Sequence, residues 1–206
     1  MRSFSDYRKG SVEYYYDALD RRIAKVASNW KKNQKATAES FTISYLHSEQ
    51  ADEIALAKRG DGAVYKHISG QGVDQHLGYV ASSGEVKSYV TNHLGSVLNS
   101  EAGGKSMSYG IFGELQGRVL EFSSSSSPTQ YAFTGREFDP ESGKYYYRAR
   151  MYDPQTGQFM SQEPTGLDGP NMYWYALNNP TGNTDPSGLN SKKGGKAPSA
   201  TSLSNS

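Results

Sequence analysis

Two turns of one design constrain this chain more than any other feature. Asp139-Pro140-Glu141-Ser142-Gly143 and Asp153-Pro154-Gln155-Thr156-Gly157 lie fourteen residues apart. In each, Asp suits the first position of a type I turn and proline fixes φ at the second. The glycine four residues after Asp can take the left-handed conformation that closes a bulged hairpin. A chain punctuated in this way runs back and forth as antiparallel strands. Between the two turns, alternation places Tyr145, Tyr147, Ala149 and Met151 on one face of a strand. Tyr146, Arg148, Arg150 and Tyr152 fall on the other, where tyrosine and arginine can stack.

The same grammar holds upstream. Val12 and Tyr14-Tyr15-Tyr16 open a β-run, Asp17-Ala18-Leu19-Asp20 turns, and Arg21 to Ala27 returns. Phe41, Ile43 and Tyr45 alternate with Thr42 and Ser44. Ile54 to Ala57, a Gly60-Asp61-Gly62 turn and Val64 to Ile68 form a second hairpin. Leu77 to Val80, Ser82-Ser83-Gly84 and Val86 to Val90 repeat the plan. Ser123 to Ser127 reads as a loop.

Composition narrows the function. Hydrophobic residues make up 35% of the 206, and that share includes 16 Tyr, so tyrosine must do much of the work of leucine in any core. Lys+Arg total 22 and Asp+Glu 21, a net charge of +1 that gives no support for a nucleic-acid footprint. Zero Cys excludes disulfides and thiolate metal sites. The four His show no zinc spacing, and no motif calls for a cofactor. No run of about 20 apolar residues offers a membrane span. MRSFSDYRKG at the start lacks the apolar stretch of a secretory signal.

Several units taken together carry a family resemblance. Tyr131-Ala-Phe-Thr-Gly-Arg-Glu-Phe-Asp-Pro-Glu-Ser-Gly-Lys-Tyr-Tyr-Tyr-Arg-Ala-Arg-Met-Tyr-Asp-Pro154 is followed by Gly157-Gln-Phe-Met-Ser-Gln-Glu-Pro164, Asn171-Met-Tyr-Trp-Tyr-Ala-Leu-Asn-Asn-Pro180 and Asp185-Pro-Ser-Gly-Leu189. This order resembles the signature of Rhs (rearrangement hot spot) proteins, members of the YD-repeat superfamily, and their RHS repeat-associated core. Asn92-His93-Leu94-Gly95-Ser96-Val97, Tyr16-Asp17-Ala-Leu-Asp-Arg21 and Tyr109-Gly-Ile-Phe-Gly-Glu114 look like further motifs of that family. The departures are local: Asp20, Asn92, Gly110 and Lys144 replace the residues usual there, and Glu163 stands where the family has Asp.

The resemblance implies an all-β fold in which YD-repeat hairpins wind into a shell and the core caps it. It also implies an enclosed toxin, made as one chain and cut off after the Asp-Pro-x-Gly-Leu motif by an aspartyl-protease-like pair. Carried over by position, that pair is Glu163 and Asp185, and the scissile bond is Leu189–Asn190. Such chemistry needs one carboxylate to activate water and one carboxylic acid to polarise the carbonyl. The plain alternative is that Asp185-Pro-Ser-Gly188 is a third turn. The implied partners are upstream shell repeats or a second copy, a toxin cargo and a secretion apparatus. The implied location is cytoplasmic before delivery, then secreted or on a cell surface, in competition between bacteria.

The expected organisation is an N-terminal extension over 1–10, YD-repeat-like hairpins over 11–122, a serine-rich loop over 123–130, the core over 131–189 and a disordered tail over 190–206. That tail, with three Lys and no acid, is too short to be a toxin domain. The expected role is a structural cap, read as a truncated shell fragment prone to self-association through open strand edges. Two alternatives stand beside it. One is a single-turnover self-cleaving protease. The other is a cell-surface adhesion module using Arg59-Gly60-Asp61, a triplet that also suits a hairpin turn.

Overall fold

The computed structural model describes residues 2–31, 37–48, 53–99, 106–116, 129–166 and 169–194. The serine run over 123–127 lies outside the described residues. Eight strands, β1 (Ser3–Asp6), β2 (Gly10–Tyr16), β3 (Arg22–Trp30), β4 (Glu39–His47), β5 (Ile54–Arg59), β6 (Val64–Ser69), β7 (His76–Ala81) and β8 (Val86–Ser88), form one antiparallel sheet whose spatial order is the chain order. The hairpins read from alternation are all present. One strand is additional: Ser3–Asp6, within the expected extension, pairs with Gly10–Glu13.

The sheet has a buried and an open face. Val12, Tyr14, Ala27, Ile43, Tyr45, Ala57, Tyr65 and Tyr79 are buried. Tyr15, Leu46, Val64 and Val86, at the alternate positions, are exposed. One irregularity decides what the buried face carries. Tyr15 pairs with Ala24 but Tyr16 pairs with Arg22, so Ile23 is an extra, bulged residue. Without the bulge, Arg22 and Lys25 would face opposite sides. With it, both point inward and each is only 1% exposed.

Next in the chain, β9 (Ser108–Tyr109) and β10 (Leu115–Gln116) form a small hairpin of their own. A second sheet then receives the two cations. Its strands, in spatial order, are β11 (Glu137–Asp139), β12 (Lys144–Tyr147), β13 (Arg150–Asp153) and β14 (Gln158–Phe159). Both Asp-Pro-x-x-Gly turns close as the sequence predicts. Gly143 and Gly157, at φ +69° and +68°, donate their N–H to the carbonyls of Asp139 and Asp153 at 2.8 and 2.9 Å.

The single strand expected over 145–152 is instead a hairpin. The chain reverses at Arg148-Ala149, with Arg148 at φ +56°, and Tyr145 pairs with Tyr152 and Tyr147 with Arg150. Alternation within each arm is visible in the sequence, but the two-residue reversal lacks the glycine that marks such turns. On the returning arm, Arg150 lies 3.6 Å over the Phe159 ring.

Tyr145, Tyr147, Tyr152, Phe159 and Tyr175 pack with Phe133 and Phe138 into an aromatic core in which most pairs meet edge-on or tilted. Tyr146 points the other way, toward Tyr16 and Arg22 of the large sheet. Residues 190–194 depart from the expected disorder: Asn183–Thr184 (β15) pairs with Lys192–Lys193 (β16). Two exposed lysines can extend a ladder through backbone bonds alone, which composition does not reveal. Residues 195–206 lie outside the described residues.

Candidate functional site

The Asp185–Leu189 turn sits against the β12–β13 hairpin. Gly188 takes φ +68°, and a Cβ there would overlap the Tyr147 carbonyl oxygen. Gly143 has nearly the same φ, +69°, yet a Cβ there would meet nothing within 4 Å. The two positions separate backbone strain from crowding. Gly143→Ala is expected to cost about 1–2 kcal/mol, and Gly188→Ala about 1–3 kcal/mol more, read from denaturant melts.

Asp185 is fully buried at 0% exposure. Its Oδ1 accepts from the backbone N–H of Leu189 at 3.2 Å, the N–H of Asn190 at 3.1 Å and the Ser187 hydroxyl at 3.3 Å. The Asn190 nitrogen is the amide nitrogen of the Leu189–Asn190 bond. One carboxylate therefore holds both peptide N–H groups that bracket Leu189. Its Oδ2 pairs with Arg150 at 3.3 Å.

Glu163 is 2% exposed. Its Oε1 accepts from the Thr165 amide and hydroxyl, both at 2.7 Å. Its own N–H donates to the Met172 carbonyl at 2.8 Å, and the Arg150 guanidinium donates to that same carbonyl at 3.1 Å. Arg150 also donates through Nε to the Gly188 carbonyl. One arginine thus ties the Asp185 carboxylate, the turn carbonyl at Gly188 and the backbone carbonyl that receives Glu163.

The structure accordingly gathers Asp185, Leu189 and Asn190 in direct contact, with Glu163 joined to them through Met172 and Arg150. Arg150 is the member that motif reasoning missed. Its signal was an arginine directly before Met151 and Tyr152 in a tyrosine-rich stretch, where a buried charge needs a specific partner. Two more arginines brace the turn, since Arg136 and Arg148 both donate to the Pro186 carbonyl, at 2.9 and 2.6 Å.

The Arg59-Gly60-Asp61 triplet has a structural explanation. Arg59 and Asp61 pair with each other at 3.4 Å, Ala63 N–H caps the Asp61 carboxylate at 3.0 Å, and the segment links β5 to β6.

No protein-family model matches the chain. A toxin of Pseudomonas aeruginosa, Tse5, is 31% identical over 218 residues, covering 91% of this chain and 16% of its own length. A tRNA3(Ser)-specific nuclease, WapA of Bacillus spizizenii, is 28% identical over 199 residues, covering 87% of this chain and 8% of its own. The chain thus spans less than a fifth of either relative. The crystal structure of TcdB2-TccC3-TEV superposes with a TM-score of 0.63 at 24% identity, over 87% of this chain and 9% of that one. That of TcdB2-TccC3 gives 0.62 at 21% identity. The antiparallel architecture is that of these Rhs-type shell proteins, and the sequence is that of a chain related to the Rhs-type toxins.

Proposed function

We propose that this chain is the wall-and-cap segment of an Rhs-type toxin, and that its cap severs the peptide bond between Leu189 and Asn190 once, in cis, to release the polypeptide on the Asn190 side. The observation that carries the reading is the contact of the buried Asp185 carboxylate with the Asn190 N–H, the nitrogen that would leave. A turn alone would be satisfied by the Ser187 and Leu189 bonds; the third bond reaches across the scissile position. In the step proposed, water adds to the Leu189 carbonyl carbon while one carboxyl takes its proton and the other protonates the carbonyl oxygen. The tetrahedral intermediate then loses the C–N bond: the carboxyl that took the water's proton gives it to the Asn190 nitrogen, which leaves as an amine, and a hydroxyl of the intermediate returns its proton to the other carboxylate as the Leu189 carboxyl forms. Asp185 is the group within reach of that nitrogen. Glu163 supplies the second carboxyl, and Arg150 positions Asp185 through Oδ2.

The large sheet serves as wall. Its edges β1 and β8 would receive further repeats, and the cap would close over an enclosed C-terminal toxin delivered by a secretion apparatus. Intact mass tests the cleavage directly. The full chain incubated after purification is expected to yield a fragment ending at Leu189, while Asp185→Asn and Glu163→Gln remain whole. An uncut parent, or cleavage that persists in Asp185→Asn, overturns the protease reading.

A further inference from the structure

The cleavage turn is held from a second direction, by a residue on the wall rather than the cap. Asp74 lies in the connection between β6 and β7, at φ +57° and 6% exposure. Its Oδ1 receives Arg148 at 2.9 Å and Arg136 at 3.3 Å. Those two guanidinium groups are the pair that donates to the Pro186 carbonyl. The result is a four-membered clamp in which one wall carboxylate faces two cap arginines that share one turn carbonyl. A buried cation, Arg136, and a half-buried one, Arg148, converge on a single carbonyl here with an anion beside them, which offsets their mutual repulsion.

The rest of the site supports a specific linkage. Burial works against the Arg136 charge, yet Asp74 and Glu137 outweigh it and hold the guanidinium above its ordinary value. Asp74 is itself fixed by its backbone: its N–H donates to Glu53 Oε1 at 3.2 Å and its carbonyl accepts from His76 N–H at 3.1 Å. Gly135 is packed so closely that a Cβ there would lie 2.8 Å from the Asp74 carbonyl oxygen. Pro186 directly follows Asp185, so the plane of the Pro186–Ser187 peptide sets where Ser187, Leu189 and Asn190 meet the Asp185 carboxylate.

We infer that Asp74 is a positioning residue for the cleavage turn, which makes a cut-ready geometry conditional on the wall being docked against the cap. The inference rests on the self-cleavage reading for its functional meaning. Its physical content, that Asp74 orders the Leu189–Asn190 segment, is separate. A chain whose wall has not closed over its cap then keeps its cargo attached.

The test uses the full chain and two readouts. Asp74→Asn preserves size and removes the charge. In the Glu163→Gln background, which stays whole, adding Asp74→Asn is expected to lower amide hydrogen-exchange protection at Leu189 and Asn190 about tenfold or more, while the β12 and β13 amides keep theirs. Cleavage of the same variant, followed by intact mass, is expected to slow about a hundredfold, the order that a displacement near 1 Å produces. Arg148→Gln, at a partly exposed member of the clamp, is expected to act in the same direction if Asp74→Asn does not fold. Unchanged exchange at Leu189 and Asn190 in a folded variant overturns the inference, whatever the cleavage rate. A parent that is never cut, combined with the exchange change, supports the positioning role and overturns the protease reading alone. A uniform loss of protection across β12 and β13 assigns Asp74 to general stability and also overturns it.

Discussion

Arg22→Ala is expected to destabilise the chain by about 3–5 kcal/mol, the cost of leaving buried charges without their partner, and to loosen the wall from the cap. Arg22 reaches Asp139 at 2.6 Å and also pairs with Glu137; Lys25 reaches Asp139 at 3.3 Å and Glu141 at 3.2 Å. Two cations therefore face three acids, all buried. The Arg22 guanidinium also fills a cage of Tyr146, Tyr14 and Tyr45 rings at 4.5, 5.4 and 5.5 Å. Truncating it leaves three acids around one lysine and an unfilled aromatic cage. Asp139→Asn gives the informative contrast. It also breaks two ion pairs, but it leaves two cations facing two acids. Burial pushes the Glu141 carboxyl up, Lys25 pulls it down and Asp139 pushes it up further, so removing Asp139 relieves one of the opposing forces. Denaturant melts are expected to show Asp139→Asn costing less than Arg22→Ala. The reverse order would show that the tyrosine cage and the charge count do not govern this interface.

Acid should part the same two layers at a second point. His67 on β6 and His76 on β7 are buried against Tyr131 of the cap; His76 stacks on that ring at 3.5 Å and His67 meets it edge-on at 5.4 Å. Burial lowers His67 from its usual 6.5 to about 4. It lowers His76 well below its ordinary range, with Arg136, His67 and Arg148 adding to the effect and the bond to the Gly135 carbonyl opposing it. Each ring is neutral in the folded chain and protonates more readily once unfolded. The stability it contributes is complete above about pH 6.5 and is lost as pH falls toward 4. For His67 alone, the window from about pH 6.5 to pH 5 amounts to about 2 kcal/mol. His67→Phe keeps an aromatic ring and removes the titration. It should match the parent within about 1 kcal/mol at about pH 7 and exceed it by about 2 kcal/mol at about pH 5. A parent and variant that lose stability in parallel between about pH 7 and 5 would remove His67 from the account.

Much of this fold is written in local patterns. Ile43 and Tyr45, Ile54 and Ala57, and the glycines of the Asp-Pro-x-x-Gly turns declare strands and reversals because period-two burial and left-handed backbone leave a residue-level mark. What escaped is non-local or carried by the backbone. The bulge at Ile23 has no side-chain signature, yet it alone turns both Arg22 and Lys25 inward. The Arg148-Ala149 reversal uses a non-glycine residue at positive φ. Asp185, Leu189 and Asn190 were legible as a unit because they are adjacent in the chain. Arg150 and Asp74 were not, since nothing in sequence spacing ties residue 74 or 150 to the Asp185–Leu189 turn. Glu163 lay between these cases, named by motif but given its surroundings only by Thr165 and Met172.

The agreement between chain order and spatial order in the large sheet has a consequence for how the molecule is made. Each strand from β2 to β8 pairs with the one synthesised just before it, so the wall can grow hairpin by hairpin as the polypeptide emerges, at small loop-closure cost. The wall's ionic closure obeys a different clock. Arg22 pairs with residues 115 and 117 positions later, and Lys25 with residues 114 and 116 positions later. A nascent chain stopped before Glu137 would display a finished eight-stranded surface with two inward-facing cations and four ion pairs still to be made. Assembly is thus vectorial along the large sheet and completed by the second one, whose later-translated acids decide whether Arg22 and Lys25 are satisfied.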